Sequence, residues 1–213
     1  MSVVMGIDAS LGAKGDKSSG TGIVILEDGK EVFSCLVNNV QKLDGVPRLL
    51  YVRAQLENIM AQFSSRLDLI TLEDYSYNSK GNSVIDNAEL GGLIRIMLHY
   101  YQEQRRIPYL KIAPSQVKKF ILGKGNGTGT KKEDMKLGVY KKFGIEYPDN
   151  NRVDAYALAK IGEGYLYYKH KKQELIGDMV LNTPLTQYQK EVIAALLDVD
   201  LPKIKKPKKK KGE

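Results

Sequence analysis

Apolar residues along the chain occur first in short dense runs and later at helical spacing, and that change of period sets the order of elements. Residues 3–8 (VVMGID) and 22–27 (GIVILE) read as buried strands separated by a Gly/Ser/Lys-rich loop at 10–21. Asp28-Gly29 then turns the chain into a third strand, 31–37, completing a meander. Asp44-Gly45 with Pro47 marks a helix start, and Leu49, Leu50, Arg53, Leu56, Ile59, Met60 and Phe63 carry its period. A strand at 67–72 (LDLITL) follows, then a helix over 84–104 with Leu90, Leu93, Ile94, Met97, Leu98 and Tyr101 on its apolar side. Gly91-Gly92 inside that helix costs about 1 kcal/mol per glycine, which is tolerable where another backbone approaches closely.

The second half continues with strand 107–112, a short helix over 114–122 and the glycine-rich stretch 123–129 (GKGNGTG). Thr130 and Glu133 have capping-box spacing for a helix ending near Gly144, and a longer helix runs over 151–169. One more helical segment, TQYQKEVIAALLDVD, lies within 173–202, and no internal repeat is present. Three strands followed by helix–strand–helix–strand–helix–helix–helix define an α/β domain with a mixed sheet. The expected division is a domain over 1–170, a C-terminal helical extension over 171–202 and a tail over 203–213.

Three acids stand at the polar ends of these elements: Asp8 in VVMGIDAS, Glu73 in LDLITLED and Asp154 in NNRVDAYALA. Strand alternation puts Glu73 and Tyr75 on one face and Asp74 and Ser76 on the other, so only one of the adjacent acids can join a common site. Asn151 and Asp154, three apart, share one side of a helix. Taken singly, each acid has a plain alternative as a turn residue, a cap or a helix-dipole partner. Taken together, with apolar neighbours that bury them, they form an oxygen-ligand set for a hard cation of the Mg²⁺ class.

Charge adds a polyanion to this picture. Of the net +8, residues 203–213 (KIKKPKKKKGE) hold seven lysines and one glutamate, and 103–142 holds eleven Lys or Arg against three acids. A basic region beside an acidic pocket suits phosphodiester chemistry on nucleic acid, whereas solvated helix faces are the bland alternative. The lysine-rich tail cannot bury a core and is expected to be disordered. The glycine-rich stretch is no Walker A loop, since Gly-Lys at 123–124 is followed by glycine. No apolar run is long enough for a membrane span, so a soluble protein is expected, and the single Cys35 fits a reducing interior and a packing role.

The segments GIDAS…GTGIVIL, ITLEDYSYNSKGNSVIDNAELGGL, IAPSQVKKFILGKGNGTGTKKEDM and NNRVDAYALA occur in the order seen in RuvC-like Holliday-junction resolvases. The resemblance covers about residues 3–168 and lies nearest the phage-encoded branch. It implies an RNase H-like fold with a five-stranded mixed sheet flanked by helices. Asp8, Glu73 and Asp154 match the family's carboxylates; where the family carries an acid or histidine three residues before the last, this chain has Asn151, with Asp149 or Asn150 as alternatives if the helix starts late.

The activity implied is two-metal hydrolysis with two Mg²⁺ ions (Mn²⁺ as substitute), cutting four-way or other branched DNA by symmetric nicks. Lys118 and Lys132 match basic positions near the scissile strand, and Lys119, Lys124 and Lys131 add charge beside them. The family's stacking aromatic falls at Ser76, so Tyr75 or Tyr77 takes that role if it is retained. A homodimer is implied, with Gly91, Gly92, Leu93, Met97 and Tyr101 at its interface, as is a place in the cytoplasm of a bacterial host. Competing readings are a nuclease for flaps or RNA–DNA hybrids, and a non-catalytic DNA-binding protein of the same fold.

Overall fold

The computed structural model of the chain describes residues 2–38, 41–75, 83–125, 132–171, 174 and 185–199. Five strands form one sheet: β1 (Val3–Asp8), β2 (Gly20–Glu27), β3 (Lys30–Asn38), β4 (Leu69–Glu73) and β5 (Tyr109–Ile112), in the order β3-β2-β1-β4-β5. The meander β1-β2-β3 is antiparallel, while β4 runs parallel to β1 and β5 parallel to β4. The helices are α1 (Gly45–Phe63), α2 (Ser83–Arg105), α3 (Pro114–Leu122), α4 (Lys132–Phe143), α5 (Asn150–Lys169) and α6 (Gln187–Leu196). The mixed five-stranded α/β sheet expected from the sequence is present.

Both faces of the sheet are covered, which is why β1 and β2 are apolar throughout rather than alternating. Met5, Ile7, Ile23, Ile25, Ile70 and Leu72 point to one face and pack with Val52, Leu56 and Met60 of α1 and Leu90, Ile94 and Leu98 of α2. Val4, Val24, Leu26 and Leu69 point to the other and pack with Ala155, Leu158, Ala159 and Ile161 of α5. Glycine admits α5 to this second face at close range. A methyl group on Gly6 would strike the carbonyl of Ala155, and one on Gly22 the carbonyl of Asn151.

Two findings differ from expectation. Gly91 faces the ring of Tyr75, whose Cε1 would lie 2.7 Å from an added Cβ, so a side chain rather than a backbone fills that gap. Met97 lies in the chain's own core and Tyr101 packs against it. The large apolar residues that α2 presents outward are Ile85, Ile96 and Tyr100. Within the C-terminal extension, α6 is seated on the domain, with Val192, Ile193 and Ala194 buried in the same core as α5. It opens with a capping box in which the Thr186 hydroxyl accepts from the Gln189 amide. The expected box at Thr130, Tyr77, Lys131 and the tail over 203–213 lie outside the described residues.

Candidate active site

Parallel pairing of β1 with β4 places two of the expected acids side by side. Ile7 pairs with Leu72, so the next residues, Asp8 and Glu73, leave the sheet together at the same strand ends. Alternation sends both toward α5, because Val4 and Gly6 precede Asp8 on that face, and Leu69 and Thr71 precede Glu73. Asp8 is buried. Opposite them, α5 starts with Asp149 as N-cap, its carboxylate accepting from the Arg152 amide at 2.8 Å and pairing with Arg152 Nε at 2.6 Å. Asp149 is thereby committed to the helix, and Asn151 and Asp154 are the residues turned to the sheet end. The Asn151 amide donates from Nδ2 to Asp8 Oδ2 at 2.9 Å.

Electrostatics mark the convergence independently. Burial pushes the Glu73 carboxyl up to about 7 from 4.5, and the Asp154 charge adds to the rise; a hydrogen bond with Asp8 and the positive charge of Lys118 act the other way. Glu73 therefore feels Asp8, Asp154 and Lys118 at once. Mutually repelling carboxylates with an amide among them, and no nitrogen or sulfur ligand, are a donor set for a hard divalent cation rather than for zinc. Among the described residues no three His, Cys, Asp or Glu are drawn close enough to hold an ion as they stand. Holding one requires the side chains to draw closer by rotation about their terminal bonds.

The basic residues divide. Lys118, exposed on α3, acts on Glu73, because α3 follows directly from β5, whose Ile112 pairs with Glu73. Lys119, the next residue, turns away and pairs with Glu191 of α6 at 2.7 Å. Lys124 is exposed just beyond Gly123, and Lys132 begins α4. Tyr75 is not brought to the carboxylates. The strand ends at Glu73, alternation holds through Asp74 and fails at Tyr75, and the Tyr75 ring lies on α2 beneath the Arg95 guanidinium, 3.6 Å from its centre.

Sequence reasoning missed two arginines that shape the site's surroundings. Arg48 of α1 is buried and donates to the carbonyls of Leu11 and Gly12, holding the loop that leaves Asp8. Arg95 of α2 pairs with Asp74 at 2.5 Å. Neither has a signal in its own neighbourhood of sequence, since both partners lie in other elements.

Comparison with solved structures identifies the fold. The structure of Thermus thermophilus RuvC matches with a TM-score of 0.57 at 18% identity, over 80% of this chain and 96% of that one. T. thermophilus RuvC in complex with Holliday junction substrate matches with a TM-score of 0.53 at 19% identity, over 75% of this chain and 91% of that one. The chain thus has a RuvC-like fold. No family model matches the chain, and no curated protein matches it in sequence.

Proposed function

We propose that the protein is a metal-dependent endonuclease that resolves four-way DNA junctions. The observation that carries this reading is the meeting of Asp8, Glu73, Asn151 and Asp154 at one end of a RuvC-like sheet, with Lys118 beside them. A matching fold solved with Holliday junction substrate supports the choice of DNA.

Asp8, Glu73 and Asp154, with the Asn151 amide oxygen once that group turns over, would hold Mg²⁺. An ion held by these residues would supply an activated water and stabilise charge on the leaving oxygen. The chain's own contributions are positional. Asp8 and Glu73 are fixed by the rigid strand ends of β1 and β4, and Asn151 and Asp154 by the first turn of α5. Lys118 offers a positive charge to the phosphate, with exposed Lys124 as a further contact, and Lys132, the first residue of α4, is taken from the sequence as a third. Two symmetric nicks call for two copies, and the outward stripe Ile85, Ile96 and Tyr100 on α2 supports a homodimer through that helix. Among the described residues no helix is long and apolar enough to cross a membrane.

The test is a panel of four-way junctions, flaps, RNA–DNA hybrids and duplexes, each with Mg²⁺, Mn²⁺ or neither. Junctions nicked in symmetric pairs, with Asp8→Asn inactive yet still binding, are expected. Cutting that survives Asp8→Asn, or preference for hybrids over junctions, would replace this reading.

A further inference from the structure

The end of β4 carries one acid, Glu73, and the next residue is a second, Asp74, with opposite surroundings and a grip on it. Asp74 pairs through Oδ1 with Arg95 at 2.5 Å, both side chains being mostly buried at 25% and 20% exposed. The same guanidinium lies over the Tyr75 ring, 3.6 Å from its centre, and Arg95 Nε is buried without a hydrogen-bond partner among the described residues. The Tyr75 hydroxyl donates to the carbonyl of Ala88 at 3.0 Å, and its ring fits over Gly91, one helical turn before Arg95. On the strand side, the Asp74 amide donates to the Ile112 carbonyl at 2.8 Å, carrying the β4–β5 ladder one residue past Glu73. Glu73 is thus followed at once by a residue pinned both to its neighbour strand and to α2.

We propose that Arg95 is a positioning residue for the carboxylate site: by clamping Asp74 and Tyr75 to α2, it keeps Asp74 out of the site and holds Glu73 turned toward Asp8. This rests on the nuclease reading above. The clamp needs arginine specifically, because one planar group must pair with a carboxylate at its edge and cover an aromatic ring with its face. Lysine satisfies only the first demand. Without the pairing, Asp74 is a part-buried acid next to other acids, free to swing toward any cation held nearby. Ile96, the residue after Arg95, belongs to the outward stripe of α2, so a partner seated there bears on the helix turn that holds the clamp.

The experiment compares wild type, Arg95→Met and Arg95→Lys by three measurements: amide hydrogen exchange at Asp74 and Tyr75, Mn²⁺ binding to the protein without DNA, and single-turnover nicking with junction affinity measured separately in Ca²⁺. Arg95→Met is expected to speed exchange at these two amides by about tenfold or more while the rest of β4 stays protected. Mn²⁺ affinity and nicking rate should each fall by about tenfold, with junction affinity within about twofold and Arg95→Lys in between. A lower melting temperature with unchanged Mn²⁺ affinity and nicking per folded molecule would overturn the proposal, leaving Arg95 a packing residue only. If Arg95→Met does not fold, Arg95→Lys decides by the same criteria. If wild type neither binds Mn²⁺ nor nicks, the nuclease reading fails, and exchange alone judges the clamp: local acceleration upholds its hold on the strand end, and no change removes it.

Discussion

Glu73 and Asp74 differ by one methylene and one position in the chain, yet they sit on opposite sides of the sheet. On the α5 side, Glu73 faces Asp8 and Asp154 and is held near neutrality by burial and repulsion. On the α2 side, Asp74 meets Arg95 and is tied down. The first environment crowds three carboxylates at one strand end; the second pairs a single carboxylate with a single guanidinium. What separates a reactive acid from a structural one is therefore the face to which the pleat delivers it, not its chemistry.

The largest expected contrast tests this pair directly. Glu73→Gln should lower junction nicking by about a thousandfold, whereas Asp74→Asn, whose amide oxygen still accepts from Arg95, should lower it by no more than about threefold. Equal losses measured under single turnover would erase the distinction. Next in size, Gly22→Val should wedge α5 away from β2 and cost about 3 kcal/mol in denaturant unfolding, with nicking lost in the folded fraction. Unchanged stability would mean that the helix does not rest on that glycine.

A pH experiment reads the crowded side without substrate. The folded Glu73 binds its proton up to about 7, against 4.5 for an ordinary glutamate, so between those values the native state holds more protons than the unfolded one. Metal-free stability should accordingly fall as pH rises through that window, and added Mg²⁺ should raise the melting temperature above it more than below it. A flat profile in calorimetry would contradict the crowding of carboxylates. The smallest effect separates two adjacent lysines. Lys118→Ala should weaken junction binding by about threefold to tenfold and reduce the salt slope by about 1, while Lys119→Ala, whose ammonium already serves Glu191, should change affinity by less than about twofold.

The elements and the acids were readable because their signals are local. Dense apolar runs marked β1 and β2, and alternation along ITLED separated Glu73 from Asp74. The three-residue step from Asn151 to Asp154 put both on one side of α5. What escaped depends on partners far along the chain. Tyr75 falls on the α2 face because β4 stops at Glu73, and nothing within ITLEDYSY marks that stop. Arg95 reads as one more polar residue of an amphipathic helix until Asp74 is seen across from it. Lys118 and Lys119 are indistinguishable in SQVKKF, and only the seating of α6 on α3 separates them. The capping box at Thr186 and the Asp149 cap of α5 are local signals that the sequence reading passed over.

At Gly6 and Gly22 the peptide planes of helix and sheet touch with no side chain between them. The gauge separating Asp154 from Asp8 is consequently set by polypeptide geometry, which every sequence shares, and not by the bulk of intervening residues. Provided those two glycines persist, substitution elsewhere in the interior can accumulate while the acids keep their spacing.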